Sequence, residues 1–191
     1  MSEVFKISLP LRTADDPDSA VSGPLKAAQK AIGMVPNMYA AMANLPALLE
    51  SYNGGYARFR AESGFTPVEQ EVIFLTISRF NHCHYCMAAH SFVADVMSKV
   101  PAEVTDAIRN DKPIPDAKLQ ALRQFAHIMT ESRANPTPEQ GRAFINAGYS
   151  EIHMLGVILA ISVKVISNYS NHLFHTELDP GFSGRAWSVP A

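Results

Sequence analysis

The chain has 191 residues, 47% of them apolar, and a formal net charge of −2. Such a chain can bury one core or two small lobes, and its nearly neutral charge offers no basic surface to attract nucleic acid or anionic lipid. The longest uncharged apolar run, Leu155–Val163, is too short to cross a bilayer, and Met1–Pro10 lacks a signal-peptide pattern. The sequence therefore predicts a cytoplasmic protein with neither nucleic-acid nor membrane partners.

Helical signals follow one another along the whole chain and predict an all-α fold in a single domain, residues 1–191. Residues 1–23 are expected to form an extended arm and residues 180–191 a loose tail. Both Thr66-Pro67 and Thr137-Pro138 open a predicted helix pair, which fits two helical halves with a duplicated pair. The predicted helices occupy residues 24–32, 36–43, 46–62, 66–81, 83–100, 101–109, 116–132, 137–148 and 150–175.

The clearest helix start is Thr66-Pro67-Val68-Glu69. A threonine N-cap, a proline at the first helical position and a glutamate three residues past the cap together satisfy the free backbone donors of a helix start. This helix is expected to end near Asn81, and a second one to run from about Cys83 until Pro101 stops it. The pair, residues 66–100, holds the only two cysteines of the chain.

Cys83, Cys86 and His90 share one face of the second predicted helix, because residues three and four apart are neighbours on a helix surface. The helix start also stabilises a thiolate. If the two helices are antiparallel, Glu71 and His90 meet at the same height. The carboxylate then orients the imidazole, whose other nitrogen can deprotonate a cysteine. Cys86 is nearer to His90, so it is predicted to be the attacking sulfur and Cys83 the resolving one.

Other interpretations of this cysteine pair are less specific. The two cysteines can be small buried hydrophobic residues, or they can bind a structural zinc ion together with His82, His84 and His90. The interval to the upstream glutamate favours redox chemistry, so no metal site is predicted.

Several polar side chains are further candidates for lining the site. Capping and contacts between helices explain the asparagines equally well. These candidates are His82, His84, Tyr85, Asn168, Asn171 and His172.

Glu71, Cys83, Cys86 and His90, at these intervals, resemble the signature of the AhpD-like alkylhydroperoxidases within the carboxymuconolactone decarboxylase superfamily. This pattern is far more specific than a CxxC pair alone. In the archetype a histidine directly precedes the second cysteine, whereas this chain has Tyr85 there. Two more stretches, residues 33–37 and 167–172, resemble a longer branch of the superfamily that is described as peroxidase-related.

The resemblance implies an AhpD-like helical bundle that assembles into trimers or hexamers. It also implies reduction of a small-molecule hydroperoxide without metal, flavin or haem. In the family the cysteine that corresponds to Cys86 forms a sulfenate, which closes to a disulfide. A dithiol reductant, either a protein or a lipoyl carrier, then restores the thiols.

Three alternatives to a peroxidase stay open at this point. The first is a dithiol oxidoreductase that acts on a protein or lipoyl disulfide. The second is a lactone decarboxylase of the same superfamily, and the third is a zinc-stabilised oligomer without enzymatic activity. An oligomer is expected in each case, because the predicted helix at 150–175 has apolar residues on more than one face.

Overall fold

The computed structural model describes residues 4–189, and within that range the chain forms nine α-helices, one 3-10 helix and no strand. The prediction of an all-α fold is therefore confirmed. The helices are α1 (Ser19–Ile32), α2 (Asn37–Met42), α3 (Pro46–Glu62), α4 (Pro67–Phe80), α5 (His84–Val96), α6 (Ala102–Arg109), α7 (Ala117–Glu131), α8 (Pro138–Asn146) and α9 (Glu151–Phe174), followed by a 3-10 helix (Pro180–Arg185).

Side-chain caps explain why α4, α7 and α8 begin where the sequence predicts. Thr66 accepts a hydrogen bond from the backbone N–H of Glu69 at 3.3 Å, and the Glu69 carboxylate accepts one from the backbone N–H of Thr66 at 2.9 Å. Thr137 and Gln140 form the same reciprocal pair at the start of α8. Whether the helix pairs that these two boxes open are duplicates of one another stays a prediction.

The N-terminal arm is shorter than predicted, because α1 begins at Ser19 rather than at Pro24. The Asp18 side chain accepts a hydrogen bond from Ala20 at 2.9 Å and so caps the earlier start. Pro24 lies inside the helix, where its missing N–H removes one backbone hydrogen bond. Burial of the apolar face of α1 compensates for this loss. Residues 1–3 of the predicted arm lie outside the described residues.

Helix α5 ends four residues before the predicted boundary. Lys99 has a left-handed backbone with φ of 54°, and the chain turns there before it reaches Pro101. The turn brings the Ser98 hydroxyl to 3.4 Å from Glu71 Oε1. The early end of the helix therefore adds a donor to the buried carboxylate.

The C-terminal segment is not the loose tail that the sequence predicts for residues 180–191. Trp187 donates an indole hydrogen bond to the Arg109 carbonyl at 3.0 Å, and Arg109 donates to the Ala186 carbonyl at 2.8 Å. Asp179, directly before the 3-10 helix, bonds the Tyr85 hydroxyl. These contacts hold the segment against α5 and α6, whereas composition alone shows only its glycines and prolines. Residues 190–191 lie outside the described residues.

Helix α9 supplies much of the core beside α3 and α4. By length and composition it is apolar enough to cross a membrane, a test that the core helices of soluble proteins also pass. Val157, Ala160 and Val163 are buried at 0–1% exposure. These residues pack inside the bundle, so the core accounts for one face of the apolar run.

A pair of adjacent glycines in α3 tests the contact between α3 and α9. A Cβ at Gly55 would lie 2.9 Å from Cγ2 of the buried Val163, whereas a Cβ at Gly54 would meet nothing within 4 Å. We expect Gly55→Ala to lower the free energy of unfolding by about 1–2 kcal/mol, since overpacking outweighs the gain in helix propensity. The matched control Gly54→Ala should raise it by about 0.5–1 kcal/mol. Urea unfolding measures both, and equal stabilities would contradict the close contact.

Candidate active site

Antiparallel packing of α4 and α5 brings Glu71 and His90 together. Nδ1 of His90 lies 2.9 Å from Oε2 of Glu71, and the Glu71 side chain is fully buried. The structure therefore contains the contact that the spacing predicts. A carboxylate at Nδ1 requires a proton on that nitrogen, so the neutral imidazole keeps Nε2 as its acceptor.

Arg60 of α3 holds the other oxygen of the carboxylate, and sequence reasoning missed this residue. Its guanidinium bonds Glu71 Oε1, the Tyr56 hydroxyl at 2.8 Å and Gln70 Oε1 at 2.9 Å. Burial by itself raises the pKa of Glu71, but His90 and Arg60 together hold that pKa below its ordinary value. Glu71 is thus an ionised carboxylate that is paired on both sides.

The two cysteines lie at the start of α5, where Cys83 is the N-cap residue and Cys86 belongs to the first turn. Both are free thiols with 1% exposure. The Asn171 amide donates towards Cys86 Sγ at 3.3 Å and towards Cys83 Sγ at 3.8 Å. Cys86 Sγ also lies 3.8 Å from Ser167 Oγ. Helix α9 therefore provides polar contacts to the dithiol, mainly to the second sulfur.

These surroundings shift the pKa values of the two thiols in opposite directions. Burial raises the pKa of Cys86, but the hydrogen bond from Cys83 and the charge of Lys164 bring it well below its ordinary value. The pKa of Cys83 is raised well above its ordinary value, first by the same hydrogen bond and then by burial. These opposite directions favour Cys86 as the sulfur that ionises first, with Cys83 as the thiol that donates to it.

Lys164 is a second residue that sequence reasoning missed. It is fully buried, and among the described residues its Nζ has no hydrogen-bond partner. Nζ lies 5.5 Å from the centre of the Phe74 ring, which is itself 4.8 Å from the His90 ring. The signal in the sequence is a lysine three residues before Ser167 and seven before Asn171, so that all three share one helix face.

His90 is poised as a neutral base. Burial and then the charge of Lys164 lower its pKa, and Glu71 opposes them. Among the described residues, no hydrogen bond joins His90 Nε2 to Cys86 Sγ. The structure thus places His90 close enough to lower the pKa of the Cys86 thiol, but without the direct contact that the sequence predicts.

Among the described residues, the five other predicted site residues make no hydrogen bond to either sulfur. His82 and His84 are exposed, and Nδ1 of His84 lies 2.9 Å from the Trp187 carbonyl oxygen. Tyr85 is buried and bonds Asp179. The last two are in α9: Asn168 accepts from the Asn81 amide at 2.9 Å, and His172 is exposed at the surface.

The zinc interpretation finds no support in this arrangement. Within residues 4–189, no group of three or more His, Cys, Asp or Glu side chains is placed to hold a metal ion. Two of the histidines that it requires have other partners, since His90 bonds Glu71 and His84 bonds the Trp187 carbonyl.

Residues 43–127 match the model of the carboxymuconolactone decarboxylase family. The predicted resemblance to this family is confirmed over that segment. The segment of carboxymuconolactone decarboxylase type runs from α3 into α7 and includes Glu71, His90 and both thiols. Lys164 and Asn171 lie beyond it, on α9. None of the curated protein sequences matches the chain.

Solved structures show that the described part of the chain has an AhpD-like fold. It is similar to a peroxidase-related protein with an alkylhydroperoxidase AhpD core from Ralstonia eutropha JMP134, with 19% identity, a TM-score of 0.81, and coverage of 94% of this chain and 97% of that one. A peroxidase-related protein from Silicibacter sp. TM1040 has 21% identity and a TM-score of 0.78, with coverage of 96% of each chain. The debrominase Bmp8, as a variant in complex with 2,3,4-tribromopyrrole, has 17% identity and a TM-score of 0.76, with coverage of 96% of this chain and 97% of that one.

Proposed function

We propose that this protein is a thiol-dependent peroxidase that reduces small-molecule hydroperoxides. The observation that carries the proposal is the buried dithiol in which the Asn171 amide donates towards Cys86 Sγ and the pKa of Cys86 is lowered, close to the Glu71–His90 pair. A thiolate is the reactive form of cysteine, and a neighbouring thiol lets the oxidised sulfur close a disulfide. A site-bound metal or organic cofactor has no part in this chemistry.

The proposed reaction has two steps. The Cys86 thiolate attacks the terminal oxygen of the hydroperoxide, the O–O bond breaks, and the departing alkoxide takes a proton that His90 has received from the Cys86 thiol. Cys86 is now a sulfenic acid. The Cys83 sulfur then attacks the Cys86 sulfur, the S–O bond breaks, and water leaves with the proton of Cys83. One hydroperoxide becomes an alcohol and water while two thiols become one disulfide.

A dithiol reductant completes the proposed cycle. A protein dithiol or a lipoyl carrier attacks the disulfide through a mixed disulfide, and both of its electrons return to Cys83 and Cys86. A cytoplasmic location, where thiols are kept reduced, suits this chemistry. The 1% exposure of both sulfurs favours a small substrate.

The test is a balance of products in a single turnover. Fully reduced protein is mixed anaerobically with one equivalent of hydrogen peroxide or cumene hydroperoxide, and the remaining thiols and peroxide are then counted, together with the alcohol formed from cumene hydroperoxide. We expect two thiols to disappear for each hydroperoxide consumed, and a Cys83→Ser, Cys86→Ser double variant should consume none. Peroxide loss without thiol loss, or no reaction at all, would remove the proposal.

The same assay separates other two-electron reactions of the dithiol. Because one similar structure is a debrominase, a brominated pyrrole is one comparison substrate. Oxidised lipoamide is the other, since a dithiol oxidoreductase would be oxidised by that disulfide. Oxidation of the thiols by either compound at a higher rate than by both peroxides would replace the peroxidase proposal with that activity.

We also propose that the protein is a homo-oligomer, either a trimer or a hexamer. Helix α9 exposes a stripe of large apolar side chains, which favours an interface with another copy. Light scattering of the purified protein should give a multiple of the 20.9 kDa chain mass, and a mass near 21 kDa would overturn this proposal. The exposed side chains are Ile152 at 68%, Leu155 at 62%, Ile158 at 45%, Tyr169 at 55% and Leu173 at 48%.

A further inference from the structure

We infer that Lys164 is the counterion of the Cys86 thiolate, and that it thereby sets both the reactivity and the reduction potential of the dithiol. The inference extends the proposed function, on whose active site it rests. It assigns a role to a side chain outside the segment of carboxymuconolactone decarboxylase type.

The position of Lys164 on α9 is the first argument. Ser167 and Asn171, the two α9 residues whose side chains reach Cys86 Sγ, lie three and seven positions further along the same helix face. The ammonium group reaches the ring of Phe74, which also packs on His90. Lys164 therefore lies on the same face of α9 as the two residues that contact the Cys86 sulfur.

Burial of its charge is the second argument. A buried ammonium without a partner is costly, and proteins normally pair such a group or bind something to it. Lys164 is fully buried, and among the described residues its Nζ is without a hydrogen-bond partner. A nearby anion would offset this cost without a hydrogen bond to Nζ.

The neighbouring carboxylates already have partners. Glu71 is bonded by Arg60 and His90, and Asp179 is bonded by the Tyr85 hydroxyl and the Asn37 backbone. The acidic group left for Lys164 in this part of the core is the Cys86 thiol.

The pKa directions agree with this assignment. Lys164 is among the causes that lower the pKa of Cys86, and it also helps to lower the pKa of the neighbouring imidazole. The other titratable groups that interact with Cys86 are Tyr52 of α3, Cys83, Tyr85 and His90 of α5, and His172 of α9. Behind them lie the charged and titratable groups that bond these residues or one another, namely Glu71, Arg60, Tyr56 and Asp179.

The inference has a redox consequence. When Cys83 and Cys86 form a disulfide, the negative charge disappears and the buried ammonium loses its counterion. Lys164 thus stabilises the reduced protein relative to the oxidised protein and makes the disulfide a stronger oxidant, since a stabilised reduced form raises the reduction potential. Removing the charge should make the potential more negative.

The experiment uses Lys164→Met, with Lys164→Arg as the conservative variant and Lys30→Met as an exposed control. Thiolate absorbance of each reduced protein is followed against pH. Wild type and Lys30→Met should titrate one thiol well below the ordinary value of about 8.5. Lys164→Met should move that midpoint upward by about one pH unit or more, and Lys164→Arg should keep most of the wild-type behaviour.

Equilibration with dithiothreitol is the second readout. The exchange constant of Lys164→Met should change about tenfold in favour of the protein disulfide, which corresponds to about 30 mV. A purely structural lysine would alter stability but neither the thiolate midpoint nor this constant. A folded Lys164→Met protein with wild-type values for both would overturn the inference.

If Lys164→Met does not fold, the inference is tested on the wild-type protein instead. In protein labelled with 15N at lysine Nζ, one lysine resonance should move when the dithiol is oxidised, and oxidation without any such change would overturn the inference. None of these measurements needs a peroxide. If the thiolate midpoint depends on Lys164 but no peroxide is reduced, only the proposed function is wrong. If peroxide is reduced but the thiolate midpoint does not depend on Lys164, only the counterion inference is wrong.

Discussion

Replacing Cys86 with serine is expected to abolish hydroperoxide reduction, with a loss of about 10³-fold or more, whereas Cys83→Ser should still complete the first half-reaction. The reason is that the pKa of Cys86 is lowered and that of Cys83 is raised, so Cys86 is the sulfur that ionises more readily. A serine hydroxyl at position 86 stays protonated at neutral pH and cannot replace that nucleophile.

A sulfenic acid trap measures this difference directly. After one equivalent of peroxide, Cys83→Ser should carry the trapped sulfenate on Cys86, because the resolving sulfur is missing. Cys86→Ser should carry none, and the double variant controls for non-specific labelling. A sulfenate on Cys83 in the Cys86→Ser protein, with none in Cys83→Ser, would reverse the two roles.

The contacts of α9 explain why two cysteines in one helical turn differ so much. The Asn171 amide lies 0.5 Å nearer to Cys86 than to Cys83, at 3.3 Å against 3.8 Å. Cys83 itself donates to Cys86, so ionisation of one sulfur suppresses ionisation of the other. The helix start favours a thiolate in general, but tertiary contacts select which sulfur carries the charge.

Local signals account for the part of this site that the sequence predicts. The capping box at Thr66 sets the register of α4, and the interval from Glu71 to His90 then places the two residues opposite each other once the helices fold back. The cap depends on neighbours along the chain, and the pairing of Glu71 with His90 depends on the short connection between α4 and α5. Such relations are readable from spacing alone.

The missed residues come from elements that are distant along the chain. Arg60 belongs to α3, and Lys164 to α9, so their contacts depend on how whole helices pack. A buried lysine and a solvated one look alike in a sequence. The packed C-terminal segment was missed for the same reason, since Trp187 finds its acceptor at Arg109, 78 residues earlier.

Loss of the His90 imidazole is the other change with a large expected effect. His90→Ala should slow sulfenate formation by about 10²-fold or more, because general-base help and a group that lowers the pKa of Cys86 disappear together. The pH profile of peroxide consumption should move upward towards an ordinary thiol, near about 8.5. In the wild type the lowered pKa of His90 keeps the base neutral at neutral pH, and activity should fall only as the pH drops through that lowered value.

Glu71→Gln tests the carboxylate, and Glu69→Gln is its matched control. Both glutamates are buried in α4, but Glu69 bonds Tyr149 and the Thr66 cap, away from the thiols. Glu71→Gln should slow the reaction less than His90→Ala does, since an amide oxygen can still accept from Nδ1, and it should move the pH profile. It should also lower stability, because Arg60 loses its charged partner in a mostly buried position. Glu69→Gln should lower stability without changing the pH profile. If Glu71→Gln, His90→Ala and the wild type all have the same pH profile, the Glu71–His90 pair is structural.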